Sequence, residues 1–154
     1  MKKFLKNRKA KGFTLVELLI VLIIIGILAG ALLLVAGAGT DKAQATKIVS
    51  DLRSMKAAAL MCYADNNKWP TAIESLEPYM EKNLKKEQFK VYTDTTKGNW
   101  VGFISKDVVT KGVGDRLTLM VNPGNVPIYD GNENVPNSTD QTFGSTSCVW
   151  MRVD

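Results

Sequence analysis

The hydrophobic pattern of this chain has three regimes. From Phe13 to Gly39 apolar and small residues follow one another without a polar face, and Glu17 is the single charge in the run. Leu18–Gly39 alone is 22 residues with no charged or strongly polar side chain, and a hydrocarbon core of ~30 Å needs ~20 helical residues. The pattern predicts a membrane-spanning helix. Beyond Gly39 the same helix is expected to continue to about Asp65 in amphipathic form, on the order of 80 Å of helix from Phe13 at 1.5 Å per residue. Ala45, Ile48, Leu52, Met55, Ala59 and Cys62 recur at spacings of three and four, one stripe that wants a sheet against it. Lys47, Asp51, Ser54 and Asp65 lie off the stripe. A dimeric coiled coil is the other use of such a stripe, but it extends over fewer than three heptads.

The third regime is short and mixed. Asn66-Asn67-Lys68-Trp69-Pro70 stops the helix, because proline disfavours helical geometry at the residue before it. Thr71 with Glu74 reads as a capping box for a second helix, 72–85, which Pro78 shortens or bends. Strands are predicted at Phe89–Thr95 and Trp100–Ile104, joined by a turn at 96–99, and at Leu117–Val121 and Cys148–Val153. The stretch 122–146, rich in Asn, Gly, Pro, Ser and Thr, reads as a long loop. The expected fold class is therefore α+β, a long N-terminal helix packed on a small antiparallel sheet.

Charge sharpens the N-terminal reading. Of 20 Lys and Arg, six (Lys2, Lys3, Lys6, Arg8, Lys9 and Lys11) fall in the first twelve residues, where there is no acid. The chain carries +5 overall, yet residues 13–154 hold 14 bases against 15 acids. That near-neutral remainder gives no reason to expect nucleic-acid binding. The basic flank places residues 1–12 in the cytoplasm and the chain beyond about residue 40 outside. A cleaved secretory signal would have a shorter apolar core, although Ala29-Gly30-Ala31 and Ala36-Gly37-Ala38 offer small-x-small sites. A plain signal anchor accounts for length and orientation and leaves Glu17 unexplained. A carboxylate in an apolar span is penalised by about 2.5–3.5 kcal/mol on insertion scales. A cut between Gly12 and Phe13 would create an α-amino group one helical turn before Glu17, a countercharge within one subunit or between neighbours.

Lys11-Gly12-Phe13-Thr14-Leu15-Val16-Glu17-Leu18-Leu19-Ile20-Val21 resembles the prepilin peptidase recognition segment of bacterial type IV pilins and of the pseudopilins of type II secretion. The resemblance implies a basic leader, 1–12, removed after Gly12; N-methylation of Phe13; a membrane and filament-core helix, 13–39; and an extracellular head, 40–154, that includes the second half of the helix. It further implies that Glu17 pairs with the terminal amine of an adjacent subunit and that the chain polymerises with itself. The other partners implied are the prepilin peptidase and an assembly platform with its ATPase. Pilins often carry proline where Leu34 stands here, so any loosening of the helix is expected at Gly37-Ala38-Gly39, glycine costing only about 1 kcal/mol in a helix. Gly26 and Gly30 form a small-xxx-small pair suited to close helix approach.

The remaining chemistry is sparse. Histidine is absent, which removes Ser/His and Cys/His catalysis and every histidine metal ligand. Two cysteines cannot hold zinc by themselves. No enzyme activity and no cofactor are expected. Cys62 and Cys148 are read as a disulfide pinning the last strand to the helix, with two buried thiols as the alternative. Asp130, Asn132, Glu133 and Asn134, with Asp140 downstream, offer oxygens of the kind calcium takes. They lack the glycine and closing glutamate of a helix-loop-helix calcium site, which favours a solvated loop. Asn137-Ser138-Thr139 is a formal glycosylation sequence. The functional expectation is a type IV pilus subunit; the alternatives are a type II secretion pseudopilin and an anchored binding protein that does not polymerise.

Overall fold

In the computed structural model residues 12–80, 84–105, 107–121, 126–137, 141–144 and 148–154 are described, by backbone alone at 34–36 and 38. Helix α1 runs Leu15–Asn66 without a break, within two residues of the expected limits. It ends on Asn67, whose φ of 53° lies in the left-handed region and whose N–H donates to Tyr63 O at 2.8 Å. Asparagine is the residue after glycine that best tolerates this capping conformation. Tyr63 and Trp69 stack across the exit at 4.3 Å between ring centroids.

The chain divides into two compact units, Met1–Gly37 and Ala38–Asp154. In the first, Leu15–Leu33 is a helix apolar and long enough to cross a membrane and is not buried anywhere within the protein. Its Leu, Ile and Val side chains are exposed on every face.

The second unit is the head. Phe89–Asp94 (β1) and Gly98–Phe103 (β2) form a hairpin, followed by helix α2, Lys111–Val121, and strands β3, Ile128–Gly131, and β4, Cys148–Arg152. The sheet is antiparallel throughout in the order β1-β2-β4-β3. In the hairpin the Asp94 carboxylate accepts the Thr96 and Lys97 N–H groups at 2.7 and 2.8 Å, and Gly98, at φ 86°, closes the three-residue loop. A left-handed residue at this point is what lets a three-residue hairpin keep register.

The two sheet faces bury different things. On one, Phe89, Val91, Val101, Phe103, Val149, Met151 and Val153 pack with Ala45, Ile48, Leu52, Met55, Ala59 and Cys62 of α1, so the whole predicted stripe is buried. Side chains alternate along a strand, so Trp100, Cys148 and Trp150 gather on the other face, flanked by Tyr92, Ile104 and Tyr129. Trp150 is fully buried there because it lies across Gly102 of β2 and Gly131 of β3, where any Cβ would collide with its ring. Its Nε1–H donates to Asn132 O at 3.1 Å. The last residues are tied to β2: Asp154 accepts from Asn99 N and Nδ2 and from Arg152 Nε, while Val153 N donates to Asn99 O.

Three expectations are corrected. Leu117–Val121, expected as a strand, is the last half of α2: Val113, Gly114, Leu117 and Val121 are its buried residues, a helical period invisible in five residues taken alone. Thr110 Oγ1 accepts the Val113 N–H, and Lys111 pairs with Asp115 one turn on. The fourth strand comes instead from within 122–146, as β3. The second helix expected over 72–85 is a 3-10 helix, Ile73–Tyr79, with Ala72 at its N-cap and no side-chain cap bond, so the Thr71–Glu74 capping box does not form. Pro78 sits inside it, and a separate 3-10 turn, Lys86–Gln88, precedes β1.

Candidate functional site

The N-terminal segment holds the residues that the sequence singles out. Gly12, Phe13 and Thr14 are outside the helix, and Phe13 is 89% exposed. Thr14 is the N-cap. Its Oγ1 accepts the Glu17 N–H at 3.2 Å, and Glu17 Oε2 reaches back to accept both the Thr14 N–H and the Thr14 hydroxyl, each at 2.8 Å. This is a complete capping box. Leu18 N donates to Thr14 O at 3.2 Å, the first backbone bond of the helix. The structure thus supplies Glu17 with a partner inside its own chain before any cut is made. Sequence reasoning paired Glu17 with an amine and passed over Thr14, although Thr-x-x-Glu ahead of an apolar run is a capping signal. Of the expected leader, 1–12, residues 1–11 lie outside the described residues.

The four helix glycines Gly26, Gly30, Gly37 and Gly39 have no atom within 4 Å of where a Cβ would stand. Among the described residues no side chain or other element fills the space beside them, and α1 remains helical through all four. Such bare positions permit close approach by another helix.

The cysteines do not form the expected bridge. Cys62 is buried in the core between α1 and the sheet, while Cys148 is buried on the opposite sheet face beside Trp100 and Trp150. The alternation of β4 decides this: Val149 and Met151 point toward α1, which turns Cys148 and Trp150 away. Asn66 Nδ2 instead donates to Cys62 O at 3.0 Å.

Two asparagines of the oxygen-rich loop are spent on its own fold. Asn132 Oδ1 accepts the N–H groups of Asn134 and Val135, both at 2.8 Å, and Asn134 Oδ1 accepts from Lys90 Nζ at 2.9 Å. Asn137 N donates to Asp130 O, closing the turn that follows β3. Among the described residues no three acids or cysteines converge as metal ligands. Asp140, and Ser138 and Thr139 of the glycosylation sequence, lie outside the described residues.

Electrostatics in the head is local. Backbone N–H donation from Lys97 and Thr96 holds the Asp94 carboxyl below its ordinary value. At Asp154 partial burial pushes upward, but Arg152 and the two Asn99 donors outweigh it and the net direction is down. The hydrogen bond to Asp65 raises the Tyr79 hydroxyl.

A bare apolar helix entered through an exposed Gly-Phe peptide, followed by a spine packed on a four-stranded antiparallel sheet, defines a pilin-like subunit. The profile described as the prokaryotic N-terminal methylation motif matches residues 7–33. Type II secretion system core protein G of Klebsiella michiganensis is 28% identical over 142 residues, 92% of this chain and 96% of that protein. The protein of the same name from Klebsiella pneumoniae is 28% identical over 134 residues, 86% of this chain and 92% of its own. Among solved structures, the major type IV pilin PilA1 from Clostridium difficile matches with a TM-score of 0.51 and 25% identity, over 75% of this chain and 98% of that one. The chain is thus similar in sequence to type II secretion pseudopilins and in fold to a type IV pilin.

Proposed function

We propose that this chain is the structural subunit of a type IV pilus, made as a single-pass membrane precursor with residues 1–12 in the cytoplasm. A prepilin peptidase cuts it after Gly12 and methylates the Phe13 amine. The mature subunit then polymerises into an extracellular helical filament, drawn from the bilayer by an assembly platform and its ATPase, and serves in adhesion or motility. Its role is structural rather than catalytic. The observation that carries this reading is the 19-residue apolar helix, exposed on all sides and beginning two residues after Phe13, with Glu17 as its one charge. Outside a bilayer such a surface has to be covered by apolar neighbours, and a bundle of identical helices provides them.

Glu17 sets register in that bundle. Oε2 holds both Thr14 bonds and Oε1 takes neither, so an incoming terminal amine has a carboxylate oxygen to meet. A subunit displaced by one turn would leave charge unpaired in an apolar surround, which is strongly disfavoured. Mass spectrometry of the mature protein is expected to find methylated Phe13 as the first residue, and any other N-terminus would sink the processing scheme. Glu17→Ala is expected to leave the head folded and abolish filaments; normal filaments from that variant would refute the assembly role.

A second reading has its own support. The core protein G relatives align along nearly their whole length, which favours a pseudopilus subunit of a type II secretion system. Deletion of the gene separates the two. Loss of surface filaments with secretion intact supports the pilus; trapped folded exoproteins support the pseudopilus.

A further inference from the structure

The capping box has a consequence for the bond that is cut. Glu17 Oε2 accepts the Thr14 N–H, so that N–H cannot donate to a carbonyl one turn upstream, and the helix cannot propagate past Thr14 toward the leader. With Thr14 Oγ1 on the Glu17 N–H as well, the helix start is fixed by two reciprocal side-chain bonds. Gly12 and Phe13 are left exposed and non-helical. A peptidase needs the scissile peptide and its neighbours free of helical hydrogen bonds to fit them in a cleft. Phe13 and the apolar residues after it favour continuation of a helix in lipid, where unsatisfied backbone groups are costly.

Resting on the processing reading above, we propose that Thr14 is a positioning residue for leader removal: by capping α1 it holds the Gly12–Phe13 peptide outside the helix, in the form the peptidase hydrolyses. In that step the Gly12 carbonyl–Phe13 nitrogen bond breaks. Water supplies the hydroxyl of the new Gly12 carboxyl group and the hydrogen of the new Phe13 amine. Thr14 takes no part in the bond exchange. It acts by keeping most molecules in the cleavable conformation, so its removal lowers the rate by the fraction lost to helix.

The test uses the full-length precursor in detergent with a purified prepilin peptidase, cleavage being followed by intact mass. Thr14→Ala is expected to slow cleavage measurably, by up to about five-fold, the limit that an N-cap of about 1 kcal/mol sets. Thr14→Ser keeps the cap and is expected to be cut at the wild-type rate. Thr14→Gly has no hydroxyl but is nearly as good at an N-cap and a poor helix interior residue, so it too is expected within two-fold of wild type. Hydrogen exchange of the uncut chains supplies a readout independent of cleavage, with the Gly12 and Phe13 amides more protected in Thr14→Ala than in the other three. Wild-type rates for Thr14→Ala overturn the proposal. So does slow cleavage of both Ala and Gly variants, which would mean that the peptidase reads the hydroxyl directly. Failure of the wild-type chain to be cut after Gly12 overturns the processing reading itself and the proposal with it.

Discussion

Gly102→Ala is a one-methyl perturbation aimed at the outer face of the sheet. A Cβ at this position falls inside the Trp150 ring system, and the ring has little room to slide sideways because its other edge already lies against Gly131. Asn132 O holds the indole nitrogen in place as well. Forcing a methyl into a packed site costs about 1–3 kcal/mol, while replacing a strand glycine returns about 0.5–1 kcal/mol of chain entropy. If the ring is expelled, loss of its ~150–250 Å² of burial at ~25 cal/mol/Å² sets an upper bound near 4–6 kcal/mol. Trp150 is 0% exposed and hemmed in by glycines on two strands, so the expected net loss is about 2 kcal/mol or more. Urea unfolding of the full chain in detergent, followed by near-UV circular dichroism, measures it. The mechanism is tested by a double-mutant cycle with Trp150→Phe, whose smaller ring leaves room for the methyl. The Gly102→Ala penalty is expected to fall by at least about 1 kcal/mol when measured in the Trp150→Phe variant. Penalties that add to within about 0.5 kcal/mol would refute the steric account.

Other consequences follow from the same structure. Leu52 is completely buried between α1 and the sheet, and Leu52→Ala is expected to cost about 2–5 kcal/mol in the same urea assay. Asn67 carries a φ of 53° at the end of α1; Asn67→Ala is expected to cost about 1 kcal/mol and Asn67→Gly nothing or a slight gain, read as shifts of the urea midpoint. The Asp94 and Asp154 carboxyls are lowered in the folded chain. Their contribution is therefore complete above the unfolded carboxylate pKa of about 4 and is lost as pH falls through the folded values. Asp94→Asn, which keeps an acceptor in the turn, is expected to reduce the loss of stability between pH 5 and pH 2.5 (on the order of the carboxylate range); an unchanged acid limb in urea melts would contradict this. Peptide mapping under non-reducing conditions is expected to find no Cys62–Cys148 cross-link, given their places on opposite faces of the sheet.

The sequence by itself determined the elements whose signal is long and local. An uninterrupted apolar run bounded by a basic leader specifies a membrane-competent helix, and six stripe residues at helical spacing specify which face of its continuation is buried, because the period repeats over several turns. Thr14 is legible too, as the Thr of a Thr-x-x-Glu spacing ahead of the apolar run. Tertiary structure decided what short segments become. Leu117–Val121 is apolar enough for a strand, and only the burial of Val113 and Gly114 against the rest of the head makes it the end of a helix. Ile128–Gly131 sits among turn residues and becomes a strand because β4 offers it an edge. The cysteine pair failed for the same reason: a two-residue alternation in β4 sends Cys148 to the face opposite α1. That choice is set by which neighbours Val149 and Met151 find in the core, and no local pattern in the chain records it.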